Sequence, residues 1–190
     1  FCKRLLTGFT SLGKNGNLYD VDVRLRPTGN AGPIIHTLDS FKDYYNNDAW
    51  IWEIMALTKA RIIYGTGTLT DGLNAFLKSF LTKKRDENHI KNELLDMRER
   101  IRLEKKNTEN DLMTQKGGII DFNFLIQYLK LTKIQERKIP FPQNTMKALD
   151  VFEHDNLLNL DICQNLRRAY QEFLTWRHQK ALKTKLINIP

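Results

Sequence analysis

Residues Ile119 to Gln135, IIDFNFLIQYLKLTKIQ, are helical in period and apolar over more than half of the helix circumference. Apolar side chains at 119, 120, 122, 124, 125, 126, 128, 129, 131 and 134 make too wide a band for a surface helix, which needs only one stripe. A helix of this kind is packed on several sides, as at the centre of a bundle. Gly117-Gly118 break the chain before it, and Pro140 and Pro142 punctuate it afterwards, ahead of a helix expected from Gln143 to His154.

The flanking segments supply that bundle. Downstream, a last helix from about Asp161 to Lys183 carries Ile162, Leu166, Tyr170, Phe173 and Trp176 on its inner face. Upstream, Ile90, Leu94, Met97 and Ile101 recur at helical spacing, with Glu93, Arg98, Arg100 and Arg102 expected to face outwards. The alternating charges between Lys83 and Lys106 suit a solvated helix face. A further helix is expected from about Leu69 to Lys83. Before it, Asp48 is a candidate cap for a helix with Trp50, Ile51, Ile54, Met55, Leu57 and Ile62 in its apolar stripe, and Asp39 for a shorter one through Tyr45. Trp50, Trp52 and Glu53 are assigned to bundle packing, with the carboxylate satisfied. The opening FCKRLLTGF fits a short helix, and SLGKNGN after it is turn chemistry.

One region departs from the helical period. From Leu18 to Pro27 the letters alternate, so that a strand there would carry Tyr19, Val21, Val23 and Leu25 on one face and Asp20, Asp22, Arg24 and Arg26 on the other. TGNAG is a turn, and residues 33–37 can return as a second strand, completing a short β-hairpin. The expected architecture is therefore mainly α. The composition changes near residue 40, dividing the chain into residues 1–40 and a helical bundle over 41–190.

A chain of 190 residues with 41% hydrophobic content can bury a core without covalent staples. Cys2 and Cys163 are far apart in sequence and suit reduced, packed thiols. No apolar run approaches a membrane span and the first residues lack leader architecture, so a cytoplasmic protein is the default and a membrane partner is not expected. Histidines 36, 89, 154 and 178 do not cluster at metal-ligand spacing. Thirty Lys and Arg against 22 Asp and Glu give a formal charge of +8, which favours anionic partners. The excess concentrates near the carboxy-terminal helix, where Arg167, Arg168, Arg177, Lys180, Lys183 and Lys185 stand against Glu172. Nucleic acid is the weakest of the anionic partners, because no reader motif and no exposed basic face with interleaved aromatics accompanies the charge.

Chemistry concentrates at residues 22 to 26. A carboxylate followed by two guanidiniums along one strand face suits phosphoryl transfer, in which the acid holds a divalent metal or takes a proton and the arginines neutralise phosphate oxygens. A solvated strand with cross-strand ion pairs fits the same spacing. Gly117-Gly118 opening a helix can present N–H groups to a phosphate or serve close packing, and Asp121 stands one turn on as a cleft candidate. Lys59 and Arg61 face either a nucleotide or solvent.

The residues GNLYDVDVRLRPTGNAGP (16–33) closely resemble the signature of glutamine synthetase adenylyltransferases, members of the polymerase-beta-like nucleotidyltransferase superfamily. The resemblance continues through SFKDYYNNDAWIWEIMALTKARIIYG (40–65), LLDMRERI (94–101) and KGGIIDFNFLIQYL (116–129), covering at least residues 16 to 131, and is nearest to the adenylylating half of the two-part enzyme. It implies that residues 1–40 are the end of a nucleotidyltransferase domain, with a hairpin remnant of its sheet, and that 41–190 are the helical bundle domain. It implies ATP as substrate with Mg²⁺, and AMP transfer to a tyrosine of glutamine synthetase, with phosphorolytic removal as the reverse reaction. Asp22 matches the third metal-binding carboxylate, which ligates Mg²⁺ and helps activate the tyrosine hydroxyl. Arg24 and Arg26 match the motif's arginines and would contact phosphates or hold the acid in place, and Gly117, Gly118 and Asp121 are further candidates for the nucleotide.

The family's Gly-Ser turn and Asp-x-Asp pair do not occur within these residues, so the chain as given is expected to be catalytically incomplete. Asn123 stands where the family has Glu, Met113 where it has Lys, and Ile54-Met55 where it has His-Gln. The alternative function is a non-catalytic helical module that binds glutamine synthetase or a PII-type regulator.

Overall fold

A computed structural model describes residues 1–13, 16–17, 21–104, 112–134 and 141–187, without the side chains of 12–13, 16–17 and 183–187. The described chain is mainly helical: α1 (Cys2–Thr10), α2 (Leu38–Asn47), α3 (Ile51–Leu57), α4 (Gly67–Leu81), α5 (Glu87–Glu104), α6 (Ile119–Lys133), α7 (Thr145–His154) and α8 (Leu160–Ile187). None of these helices is long and apolar enough to cross a membrane.

Helix α6 is the hub. It packs against α3 and α5 on one side and against α7 and α8 on the other, as its broad apolar band requires. One core joins Tyr45, Ile54, Met55, Phe80, Ile90 and Leu131 with their neighbours, and the second joins Phe122, Ile126, Ile134, Leu149, Phe152 and Cys163; Tyr128 touches both. Phe122 stacks on Tyr170 at 5.3 Å between ring centres and meets Phe173 edge-on, which fastens α8 to the hub. Ile162, expected on the inner face of α8, is 45% exposed, whereas Cys163 is fully buried. The α8 basic region is partly neutralised, since Arg167 bonds Asp150 at 2.9 Å and Glu153 at 2.5 Å on α7.

Residue 130 breaks the apolar pattern of the hub. Lys130 is fully buried, and its Nζ donates to the carbonyls of Thr58 (3.3 Å) and Gln143 (3.0 Å), joining the end of α3 to the approach to α7. Two carbonyl acceptors satisfy two of the three ammonium protons. Burial, reinforced by the Lys59 charge, pulls its pKa down to about 8.

Capping differs from the sequence expectation. Thr37, not Asp39, caps α2, its hydroxyl accepting from Ser40 N at 3.2 Å. Asp48 ends α2, and α3 starts after Trp50, where Glu53 reaches back to accept from Trp50 N at 2.9 Å. Both Glu53 oxygens also accept from the Tyr44 hydroxyl (2.8 and 2.9 Å), tying α3 to α2 around a 3% exposed carboxylate. Trp50 and Trp52, assigned to packing, are 62% and 37% exposed, and α3 stops at Leu57, short of Ile62.

The largest correction concerns residues 21–37, where no strand forms; residues 18–20 lie outside the described part. The only ladder among the described residues is the two-residue antiparallel pair Leu12–Gly13 with Gly16–Asn17, inside the stretch read as a turn. A strand is stabilised by a neighbouring strand's N–H and C=O groups, and the described chain offers residues 21–27 no such neighbour. Their backbone turns locally, ahead of a short 3₁₀ turn at Gly29–Ala31.

Glu53→Ala strands the Trp50 N–H and the Tyr44 hydroxyl, and is expected to lower unfolding free energy by about 2–4 kcal/mol in urea titrations, with Tyr44→Phe costing about 1 kcal/mol. Lys130 releases its proton more readily folded than unfolded, so its penalty is full below about pH 8 and is relieved as pH rises towards its unfolded value of 10.5. Stability should therefore gain a rising slope between those pH values that Lys130→Met removes, a difference of roughly 2–4 kcal/mol across the window.

Candidate functional site

Asp22 and Arg24 come together, but by a local turn and not by strand alternation. Asp22 Oδ1 accepts from Arg24 N at 2.9 Å and Nε at 3.0 Å, while Oδ2 accepts from Nη2 at 2.7 Å. The side-chain and backbone bonds from Arg24 hold the Asp22 carboxyl down at about 2. Arg26 turns the other way, donating from Nη1 to Val23 O at 2.6 Å and from Nη2 to Gly32 O at 3.5 Å, which closes the turn over residues 23–32. Arg24 is thus an exposed guanidinium on a carboxylate, and Arg26 a half-buried one on carbonyls.

A second group forms where α5 meets the start of α6. Arg98, expected on the solvent side, is instead half-buried and pairs with Asp121, while its Nη2 donates to Thr114 O at 2.7 Å and Gln115 O at 3.2 Å. Asp121 Oδ2 also accepts from Gly117 N at 2.7 Å. Gly117 sits at φ +77°, in the left-handed region, and a Cβ on Gly118 would lie 2.4 Å from Leu112 O, so both glycines are required by the turn. The N–H groups of Ile119 and Ile120 donate to Leu112 O (3.0 Å) and Met113 O (3.2 Å). The donors that a phosphate would need at this helix start are therefore occupied by carbonyls, and the glycine pair serves close packing.

The departures from the family pattern have definite places. Asn123 Oδ1 accepts from Lys59 Nζ at 2.5 Å, so a neutral oxygen occupies the partner position of a cation on the neighbouring helix end. Burial, then the Arg177 charge, lowers the Lys59 pKa. Ile54 and Met55 are core residues at 8% and 2% exposure.

Among the described residues no three His, Cys, Asp or Glu side chains gather as a metal-ligand set. Asp22 alone cannot hold Mg²⁺, and both of its oxygens are engaged by Arg24. The residues present therefore do not fit Mg²⁺ as a self-contained site, and no hydrogen bond or ion pair between described residues links the Asp22 turn to the Asp121 group.

Between α5 and α6 runs an open groove of about 940 Å³. Its floor is Leu94, Leu95, Phe124, Leu125 and Tyr128, and its rim is Lys91, Arg98, Glu99, Arg102, Lys116 and Asp121, with Thr114 and Gln115 at one end. Arg98 was masked in the sequence by its charge; the available signal is its place one turn after Leu94, at the edge of the α5 apolar stripe. Lys130 is visible only as a lone cation between Leu129 and Leu131.

The family model for glutamate-ammonia ligase adenylyltransferase matches residues 1–75, and that for GlnD PII-uridylyltransferase matches residues 80–183. A bifunctional glutamine synthetase adenylyltransferase/adenylyl-removing enzyme of Bradyrhizobium diazoefficiens is 40% identical over 151 residues, 79% of this chain. Its counterpart in Idiomarina loihiensis is 36% identical over 189 residues, 95% of this chain. The chain belongs to the glutamine synthetase adenylyltransferase family. It spans 15% and 20% of the lengths of those two adenylyltransferases, and 18% of a Rhodopseudomonas palustris relative that is 37% identical over 175 residues, 90% of this chain.

The Asp22 carboxylate is held by one exposed arginine, and Arg24→Gln should raise its pKa from about 2 towards the ordinary carboxylate value of 3.8 in an NMR pH titration. The pair's contribution to stability is present above 3.8 and lost as pH falls towards 2, and salt should weaken it because both side chains are exposed.

Proposed function

We infer that this chain forms part of an ATP-dependent protein adenylyltransferase that transfers AMP to a tyrosine of glutamine synthetase, with phosphorolytic removal as the reverse reaction. The observation that carries this reading is the residue block 16–33, with Asp22, Arg24 and Arg26 at the family's acid and arginine positions, in a chain up to 40% identical to curated adenylyltransferases. Asp22 would supply one carboxylate of a larger metal-binding set, in which Mg²⁺ would neutralise phosphate charge. Arg24 holds the Asp22 carboxylate in place and can exchange it for a phosphate oxygen, a trade of one charge-assisted contact for another. Arg26, bound to the carbonyls of Val23 and Gly32, holds the turn in shape.

Residues 1–40 then close the nucleotidyltransferase domain and 41–190 form the helical domain beside it. Gly117 and Gly118 have no part in this reading beyond packing, because their turn places Asp121 and Arg98 at the mouth of the α5–α6 groove. A second reading, a non-catalytic module binding glutamine synthetase or a PII-type regulator, is favoured by one feature: Leu95 and Leu125 stand exposed in that groove at 57% and 42%.

Calorimetric titration of ATP, with and without Mg²⁺, into the chain joined to the rest of its metal-binding set tests the first reading. Metal-dependent binding that Asp22→Asn abolishes and Arg24→Gln weakens by about tenfold is the expected result. Nucleotide heat insensitive to both substitutions would overturn it, and binding of glutamine synthetase without any nucleotide binding would establish the second reading in its place.

A further inference from the structure

We propose that the groove between α5 and α6 is a docking site for an acidic amphipathic helix of a partner protein. The floor offers exposed Leu95 and Leu125 beside the partly buried Leu94, Phe124 and Tyr128. A contiguous apolar strip with a charged rim marks an interaction surface more often than an accident of packing. Its shape selects a helix. On α5 the lining residues run from Lys91 to Arg102, a stretch of roughly 16 Å at 1.5 Å per residue, and a channel between two packed helices accepts a third helix of about three turns. Apolar side chains on that helix at i, i+3 or i+4, and i+7 would reach Leu95, Leu125 and the floor between them.

The rim sets the charge of the occupant. Four cations, Lys91, Arg98, Arg102 and Lys116, meet two acids, and both acids are already engaged: Asp121 by Arg98 and Gly117 N, Glu99 by Arg102 at 2.6 Å. Arg98 Nη1 has no hydrogen-bond partner among the described residues. Arg98 and Arg102 are thus neutralised by those acids, and Lys91 and Lys116 leave the rim with net positive charge, so an incoming Asp or Glu is attracted whereas an incoming Lys or Arg is repelled. A second copy of the chain, at formal charge +8, is the wrong electrostatic match. The proposal goes beyond the transferase reading and does not rest on it, because it uses no residue of the Asp22 turn.

Two synthetic helical peptides of about 14 residues test it by fluorescence anisotropy, one with leucines at i, i+3, i+7 and i+10 flanked by glutamates, the other with lysines in place of the glutamates. The acidic peptide should bind at least about tenfold more tightly than the basic one and weaken as salt is raised. Lys91→Glu with Lys116→Glu, and separately Leu95→Gln with Leu125→Gln, should each cut its affinity about tenfold or more. All four side chains are exposed, and circular dichroism verifies that the variants stay folded. Equal binding of the two peptides, or indifference to both pairs of substitutions, would overturn the proposal. So would sedimentation showing a wild-type dimer that Leu95→Gln dissociates, since that result would give the groove to a second copy.

Discussion

The described fold depends on one constraint: α6 has to be covered on both sides. Its residues enter two separate cores, and only the combination of α3 and α5 on one flank with α7 and α8 on the other removes that surface from water. Lys130 sharpens the constraint. A fully buried ammonium is tolerated only where carbonyls replace its water, and the acceptors are Thr58 at the end of α3 and Gln143 ahead of α7. The same cation therefore fixes how both neighbouring segments approach the hub, and no apolar residue of equal length would specify the two carbonyl positions.

The start of α6 is fixed by a second set of polar contacts, and these shape the groove. Gly118 admits the carbonyls of Leu112 and Gln115 against the helix start, Gly117 takes the left-handed turn, and Asp121 accepts from Gly117 N. Arg98 then bonds the carbonyls of Thr114 and Gln115 as well as Asp121, so the loop over residues 112–118 is clamped between α5 and α6. A clamp at one end holds the two helices at a set separation, and Leu95 and Leu125 further along remain partly uncovered. Packing order and surface chemistry thus come from the same few residues.

Helix existence was legible because period and burial largely agree: Ile90, Phe122, Ile126, Leu129, Leu131 and Phe152 recur at helical spacing and are buried, whereas Leu125 in the α6 band and Ile162 on α8 are exposed. What was not legible is polar geometry. Arg98 and Lys130 carry ordinary surface letters, and their burial follows from acceptors 16 and 72 residues away in the chain, Thr114 and Thr58. Both caps lie two residues from the expected positions, because Thr37 and Glu53 reach the N–H groups of Ser40 and Trp50, and sequence does not say which nearby side chain will do so. The hairpin failed for a different reason: alternation states which face a residue would take in a strand, while the strand itself depends on a partner.

That distinction bears on the Asp22 block. In a strand, Asp22, Arg24 and Arg26 would share one face through the pleat; in the turn, Asp22 and Arg24 meet through a two-residue side-chain and backbone bridge. Both arrangements keep the acid ionised, and both depend on the same spacing of two. The bridge is exposed on both sides, a setting in which ion pairs contribute little to stability and are readily exchanged. Arg26 differs, because its bonds to Val23 O and Gly32 O draw on backbone carbonyls inside a closed turn. The block therefore combines one arginine that can release its carboxylate at low cost with one that holds the backbone around it.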